Sequence, residues 1–157
     1  MYTAAVITVS DRAYEGIYED QAGPVVRDLL KDAGYDVVKE VIIPDEKNKI
    51  IETLLRFSEG QIALIVTAGG TGFSKRDLTP EATKEVIERA TPGISEYMRM
   101  RSSEITPRAI LSRGISGIRD NTLILNLPGS PKAAKENLSF VLPALEHGLD
   151  MLYGKKE

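Results

Sequence analysis

The 157-residue chain predicts a three-layer α/β fold, a doubly wound and mostly parallel sheet with helices on both faces and one antiparallel hairpin strand. Three observations carry this prediction. Four short apolar runs, 3–9, 37–43, 61–67 and 122–127, have near-continuous cores, as strands covered on both faces do. Helical patterns separate them, and alternating βα units favour parallel strands joined by crossover helices. Finally, a polar or glycine-rich segment follows the end of every run, where such sheets place their ligands.

The elements follow in order. The first run is centred on Val6-Ile7. After Pro24, the residues Val25, Val26, Leu29 and Leu30 share one helical face, and Gly34 is the stop signal. The second run, centred on Val41-Ile42-Ile43, leads into a helix over about 46–58 whose apolar face is Ile50, Ile51, Leu54 and Leu55. The third run is centred on Leu64-Ile65-Val66. Thr79-Pro80-Glu81 reads as an N-cap, a proline at the first helical position and an acid in the first turn. Ala82, Val86, Ile87 and Ala90 then form a buried stripe. Thr91-Pro92 and Ser130-Pro131 repeat the start signal. Residues 110–118, followed by Arg119-Asp120-Asn121, form a hairpin into the last run, centred on Leu123-Ile124-Leu125. Length and the lack of repeats or linkers predict one domain over 1–157.

Composition narrows the chemistry. Hydrophobic residues make up 42% and charged residues 27%, enough apolar material for one core. The run 3–9 is too short to span a bilayer and no basic leader precedes it, so a cytoplasmic protein without membrane attachment is expected. The absence of cysteine excludes disulfides, thiolate nucleophiles and sulfur-ligated metals. A net charge of −3 argues against nucleic acid as a partner but leaves small anionic ligands open. The one histidine, His147, reads as a helix-end residue, and Ser-His, Cys-His and multi-His zinc schemes have nothing else to build with. Chemistry must therefore rest on carboxylates, lysines, hydroxyls and backbone N–H groups.

The segments after the four runs are Ser10-Asp11-Arg12, Pro44-Asp45-Glu46, the loop Gly69-Gly70-Thr71-Gly72, and Asn126 to Lys132. The glycine loop lacks the Walker and dinucleotide spacings, and suits either a tight strand exit or a phosphate cradle. Lys75, Arg76 and Asp77 follow it, offering cations for phosphate and a carboxylate for Mg²⁺. With Thr79 as the cap, Asp77 is left free. Asp45 suits a helix N-cap and a catalytic carboxylate equally. The segment Asn126 to Lys132 is either a plain turn or an anion site at a helix start.

The run Thr67-Ala-Gly-Gly-Thr-Gly-Phe-Ser-Lys-Arg-Asp-Leu-Thr-Pro-Glu-Ala82 closely resembles the signature of the molybdopterin-binding domains. The likeness continues through Ser10-Asp11-Arg12, Pro44-Asp45-Glu46, Thr91-Pro-Gly93, Ile105-Thr-Pro107, Leu111-Ser-Arg113 and Asn126 to Lys132, in order along nearly the whole chain. That family includes bacterial molybdopterin adenylyltransferases and the G domain of gephyrin. The resemblance implies a homotrimer that takes molybdopterin and Mg-ATP as substrates, forms adenylylated molybdopterin and releases pyrophosphate. It implies Asp45 and Asp77 as catalytic carboxylates that hold Mg²⁺ through ATP. It assigns Ser10, Asp11, Gly69, Gly70, Thr71 and Gly72 to nucleotide and phosphate. It assigns Ser102 (or its neighbour Ser103), Ser112, Asn126, Pro128, Gly129, Pro131 and Lys132 to molybdopterin. A non-catalytic pterin carrier and a scaffold trimer are the alternatives within the same fold, and hand-over to a molybdenum-insertion enzyme stays open.

Overall fold

The computed structural model describes residues 1–155. Six strands form one sheet: β1 (Thr3–Val9), β2 (Asp36–Ile43), β3 (Leu64–Ala68), β4 (Arg89–Ala90), β5 (Ser116–Arg119) and β6 (Thr122–Leu127). Their order across the sheet is β2-β1-β3-β6-β5-β4. Strands β2, β1, β3 and β6 are mutually parallel, while β5 runs antiparallel to β6 and β4 antiparallel to β5. The predicted mostly parallel sheet with a hairpin strand is what the chain forms. The hairpin turn falls at Asp120 and Asn121, with Asp120 in the left-handed region at φ 49°.

Alternation along the central strands sorts side chains into two cores, as the two-residue period of a strand requires. Ala4, Val6, Leu64, Val66, Leu123, Leu125 and Leu127 pack on one face against α2 (Ala22–Asp32), α5 (Pro92–Ser103) and α6 (Pro131–Leu152). Ala5, Ile7, Val9, Ile65 and Ile124 pack on the other against α3 (Lys47–Glu59) and α4 (Thr79–Val86). Both faces of β1, β3 and β6 are therefore covered, which explains their unbroken apolar runs. The edge strand β2 departs from this expectation: Val38 and Ile42 are 43% and 39% exposed, since an edge strand has a neighbour on one side only.

Two further details correct the sequence reading. The helix after the glycine loop ends at Val86, so Ala90 is not part of its buried stripe but an exposed residue of β4. Thr79 is the first residue of α4 and not its cap, which is Leu78 and offers no side-chain bond. The Thr79 hydroxyl instead donates to the Gly69 carbonyl at 2.9 Å, tying the helix start to the glycine loop. Ser130 does cap α6, accepting from Ala133 N at 3.1 Å. Between α5 and β5 lies a 3-10 turn, Pro107–Leu111. No helix among the described residues is long and apolar enough to cross a membrane. His147 lies exposed on α6, four residues after Pro143 in the same helix.

Candidate functional site

The chain leaves β1 toward β2 on one side and returns as β3 on the other, so β1 and β3 flank the point where the winding reverses. Ligands of such sheets bind outside the carboxyl ends of the strands at this point. All four polar strand exits lie there. Gly69 has φ 109° and Gly70 φ 70°, conformations that L side chains rarely adopt. A Cβ on Gly69 would collide with the carbonyl oxygen of Val9, and one on Gly129 would stand 3.3 Å from the Gly69 Cα. Gly69 N also donates to Leu127 O at 3.1 Å. The ends of β1, β3 and β6 thus meet through bare backbone.

The neighbouring exits are joined by charge. Asp45 N donates to Asp11 Oδ1 and Asp11 N donates to Asp45 Oδ2, both at 2.9 Å. Arg76 grips the same Asp11 carboxylate through Nε at 2.7 Å and Nη2 at 3.0 Å. The Arg76 guanidinium holds the Asp11 carboxyl below its ordinary range. Asp45 is the opposite case: burial, and secondarily the charges of Asp11 and Asp77, push its carboxyl up. Its position settles the capping question raised by the sequence, since α3 begins after Glu46 and takes no side-chain cap. The Asp77 carboxylate closes its own loop, accepting from Ser74 N at 2.9 Å.

Two cavities open on this edge. The larger, about 830 Å³, is walled by Thr71, Gly72, Ser102, Ser112, Pro128 and Lys132 among others. The smaller, about 530 Å³, is walled by Ser10, Asp45, Gly69 and Pro131, with Thr8, Tyr18 and Asp20 opposite. Gly70, Asp77, Gly129 and Ser130 line both, forming the wall the cavities share. Volumes in this range suit drug-sized or cofactor-sized ligands.

Most of the residues singled out in the sequence therefore meet. Ser102 faces the larger cavity and donates to Asn137 Oδ1 at 3.0 Å, whereas Ser103 is turned to the exposed side and bonds Met100 O. Pro131 borders the smaller cavity, not the larger. Two residues stand behind the walls. Asp11 lines neither cavity and is consumed by Arg76 and Asp45. Asn126 also lines neither; its amide donates to Thr67 Oγ1 and Thr83 Oγ1 at 3.0 Å each and accepts from Ile115 N at 3.1 Å. A buried asparagine with its bonds spent in this way fastens β6 to β3 and α4.

Sequence reading gave no role to the cavity residues Arg99, Arg108, Glu136 and Asn137, which sit in α5, the 3-10 turn and α6, nor to Thr106, although the run Ile105-Thr-Pro107 was among its motifs. Arg99 donates to Gly114 O at 2.7 Å, fixing the loop that carries Ser112. Asp20 was also missed; it borders the smaller cavity, where it accepts from Thr8 Oγ1 at 2.7 Å and from Gly23 N, in the first turn of α2, at 3.1 Å.

The donor set bears on metal binding. No cluster of three or more His, Cys, Asp or Glu suited to a metal occurs among the described residues, so the protein offers no cage of its own. It offers two carboxylates beside a glycine loop: an ideal Cβ on Gly70 would stand 3.2 Å from Asp45 Oδ1, and one on Gly72 would stand 2.9 Å from Asp77 Oδ2. Mg²⁺ is bound in that way, by one or two carboxylates together with substrate phosphates.

Comparison with known proteins gives the family. Residues 5–147 match the family model described as a probable molybdopterin binding domain. The molybdopterin adenylyltransferase of Helicobacter pylori is 43% identical over 152 residues, which cover 95% of this chain and 86% of that protein. Gephyrin of Dictyostelium discoideum is 42% identical over 164 residues, covering 98% of this chain but only 23% of gephyrin's length. The crystal structure of the molybdopterin biosynthesis enzyme MoaB from Thermus thermophilus superposes with a TM-score of 0.94 at 43% identity, covering 99% of this chain and 98% of that one.

The electrostatics of Asp45 give a sign that can be checked. Its raised native pKa means that the folded protein holds the proton more tightly than the unfolded chain does. The stability from that proton is full below the ordinary carboxylate range and is lost as pH rises through the raised native value. Asp45→Asn removes the charge and keeps an acceptor for Asp11 N. The variant is expected to melt higher than wild type at pH 7, with the difference shrinking toward pH 4. A melting temperature below wild type across that range would contradict this electrostatic account.

Proposed function

The chain belongs to the molybdopterin-binding domain family, and we propose that it adenylylates molybdopterin with Mg-ATP and releases pyrophosphate. A terminal phosphate oxygen of molybdopterin forms the new bond to the α-phosphorus of ATP. The bond from that phosphorus to the bridging oxygen of the β-phosphate breaks, and the electron pair leaves with pyrophosphate. The observation that carries this reading is the shared wall: two cavities that meet at Gly70, Asp77, Gly129 and Ser130 can hold two substrates with their phosphates in contact. The larger cavity takes the pterin against Ser102, Ser112, Pro128 and Lys132; the smaller takes the nucleotide against Ser10, Gly69 and Asp45.

The same reading accounts for the absence of an obvious base. A phosphate monoester is already largely ionised at neutral pH, with its second pKa about 6, so the nucleophile arrives deprotonated. The remaining task is to align two polyanions and offset their repulsion, which is the main content of phosphoryl-type catalysis. Asp45 and Asp77 are the residues that would hold Mg²⁺, which when bound supplies neutralising charge on the phosphates. Lys132 adds a cation at the rim of the larger cavity. Asn126 supports the cavity floor through β6, a positioning role in place of direct pterin contact. ATP is drawn from the cytoplasm in this reading.

The assembly proposed is a homotrimer, and a molybdenum-insertion activity is the next partner in line. The larger relatives support the second point: the matched region is 23% of gephyrin and 25% of the Drosophila molybdenum cofactor synthesis protein cinnamon, so further segments accompany it there. An apolar groove of about 530 Å³ between α5 and α6, walled by Pro92, Ile94, Tyr97, Phe140 and Ala144, is surface that association would cover. Sedimentation is expected to give a trimer, and a monomer throughout the micromolar range would contradict it.

Asp77→Asn separates the enzyme from a carrier. An asparagine oxygen still accepts the bond from Ser74 N, so the loop is expected to stay closed and the fold intact. Molybdopterin affinity should remain near wild type, while turnover falls about 10²-fold or more, the scale of losing one electrostatic contact at a reacting centre. Pyrophosphate release, pterin titration and melting temperature on this variant make the test. Wild-type turnover in a folded, pterin-binding variant would remove Asp77 from the reaction.

A further inference from the structure

Arg113 lies in the connection between the 3-10 turn and β5, and it takes hold of the glycine loop from behind. Its backbone N donates to Thr71 O at 2.9 Å. Its Nε donates to Gly72 O at 2.8 Å and its Nη2 to Asp77 O at 2.6 Å. The remaining nitrogen, Nη1, pairs with Glu81 Oε2 at 2.7 Å. One residue thus grips three carbonyls at both ends of the segment that carries Asp77.

The direction of those carbonyls dictates the direction of something else. In a trans peptide the C=O of one residue and the N–H of the next point opposite ways. Carbonyls of Thr71, Gly72 and Asp77 drawn toward Arg113 therefore turn the N–H groups of Gly72, Phe73 and Leu78 away from it. Thr71, Gly72 and Asp77 line the larger cavity, and Arg113 lines neither cavity, so the guanidinium stands on the far side of the wall. The Gly72 amide consequently faces the larger cavity, beside Gly70 and Asp77, which line both cavities.

We propose that Arg113, braced by Glu81, is a positioning residue that aims the backbone N–H groups of the 71–78 segment at the reacting phosphates. This rests on the adenylyl-transfer reading and adds to it a residue that touches no substrate. Glu81 belongs to the first turn of α4, so its carboxylate is anchored to a regular element while Arg113 is not. Its Oε2 is spent on Arg113, and its other oxygen is buried with no hydrogen-bond partner. Lysine cannot replace Arg113, because a single ammonium cannot span acceptors that the planar fork reaches through separate nitrogens.

Calorimetric titration with Mg-ATP tests the proposal, since it reports the fraction of competent sites separately from their affinity. Arg113→Lys and Glu81→Ala are expected to raise the dissociation constant for Mg-ATP by about 10- to 100-fold at unchanged stoichiometry, the scale of losing a charge-assisted contact. Glu81→Gln keeps an acceptor and should restore affinity to within about threefold of wild type. A purely structural role predicts the reverse pattern, with fewer competent sites of wild-type affinity and a lower melting temperature. That pattern in both Arg113→Lys and Glu81→Ala would overturn the proposal, and Glu81→Ala decides it alone if Arg113→Lys does not fold. Binding is read without turnover, so a wild type that binds Mg-ATP but forms no adenylylated pterin overturns the reaction, leaving the role of Arg113 to be judged on these affinities. A wild type that binds no Mg-ATP overturns both.

Discussion

Three parallel strands can end side by side only if nothing bulky stands between their last residues, and at Gly69 nothing does. A Cβ there would strike the Val9 carbonyl, its φ of 109° suits glycine alone, and Gly129 packs against it from β6 with room for no more than contact. Because the backbone fills this junction, the loops that leave it must spread to either side. The smaller cavity forms on the β1 side and the larger on the β6 side, and the segments at the junction itself, Gly70 and Gly129, become the wall between them. The site is in this sense a consequence of how closely the strands approach.

Charge then locks the spread loops in place. Asp11 stands at the end of β1, Asp45 at the end of β2 and Arg76 beyond β3, so their mutual bonds join three crossovers. The pairing also divides the labour among the carboxylates. Asp11 is saturated and serves the scaffold, while Asp45 sits under a desolvation cost that a bound cation would offset. A site that must bring two polyanions together gains from such a carboxylate only when a metal accompanies them. This is the physical reason to favour Mg-ATP chemistry over simple pterin storage.

Some of this was legible in the sequence and some was not. Three of the four runs were readable because β1, β3 and β6 are buried on both faces and so carry no polar alternation. Strand β4 was invisible: two exposed residues at a sheet edge leave no burial pattern to detect. Thr79 reads as a cap because Thr-Pro-Glu is a valid start signal, whereas its hydroxyl donates to a carbonyl ten residues earlier. Glycine spacing and flanking charges singled out the loop that lines the two cavities. They could not show what Arg113 and Asn126 do, although both fall in sequence motifs, because their side chains and backbone reach partners 32 to 42 and 43 to 59 residues away, respectively. Local pattern reports local geometry, and a fastener between distant segments has none.

In the proposed reaction the two cavities hold molybdopterin and ATP so that the α-phosphate, with its adenosine, passes from ATP to the pterin. Incubating the protein with molybdopterin, Mg²⁺ and ATP labelled on its α-phosphate tests this directly. The account predicts that the label and the adenosine appear together on the pterin, with one pyrophosphate released per label transferred. Transfer of a γ-phosphate label, or complete retention of the α-label in unreacted ATP while both substrates are bound, would contradict it.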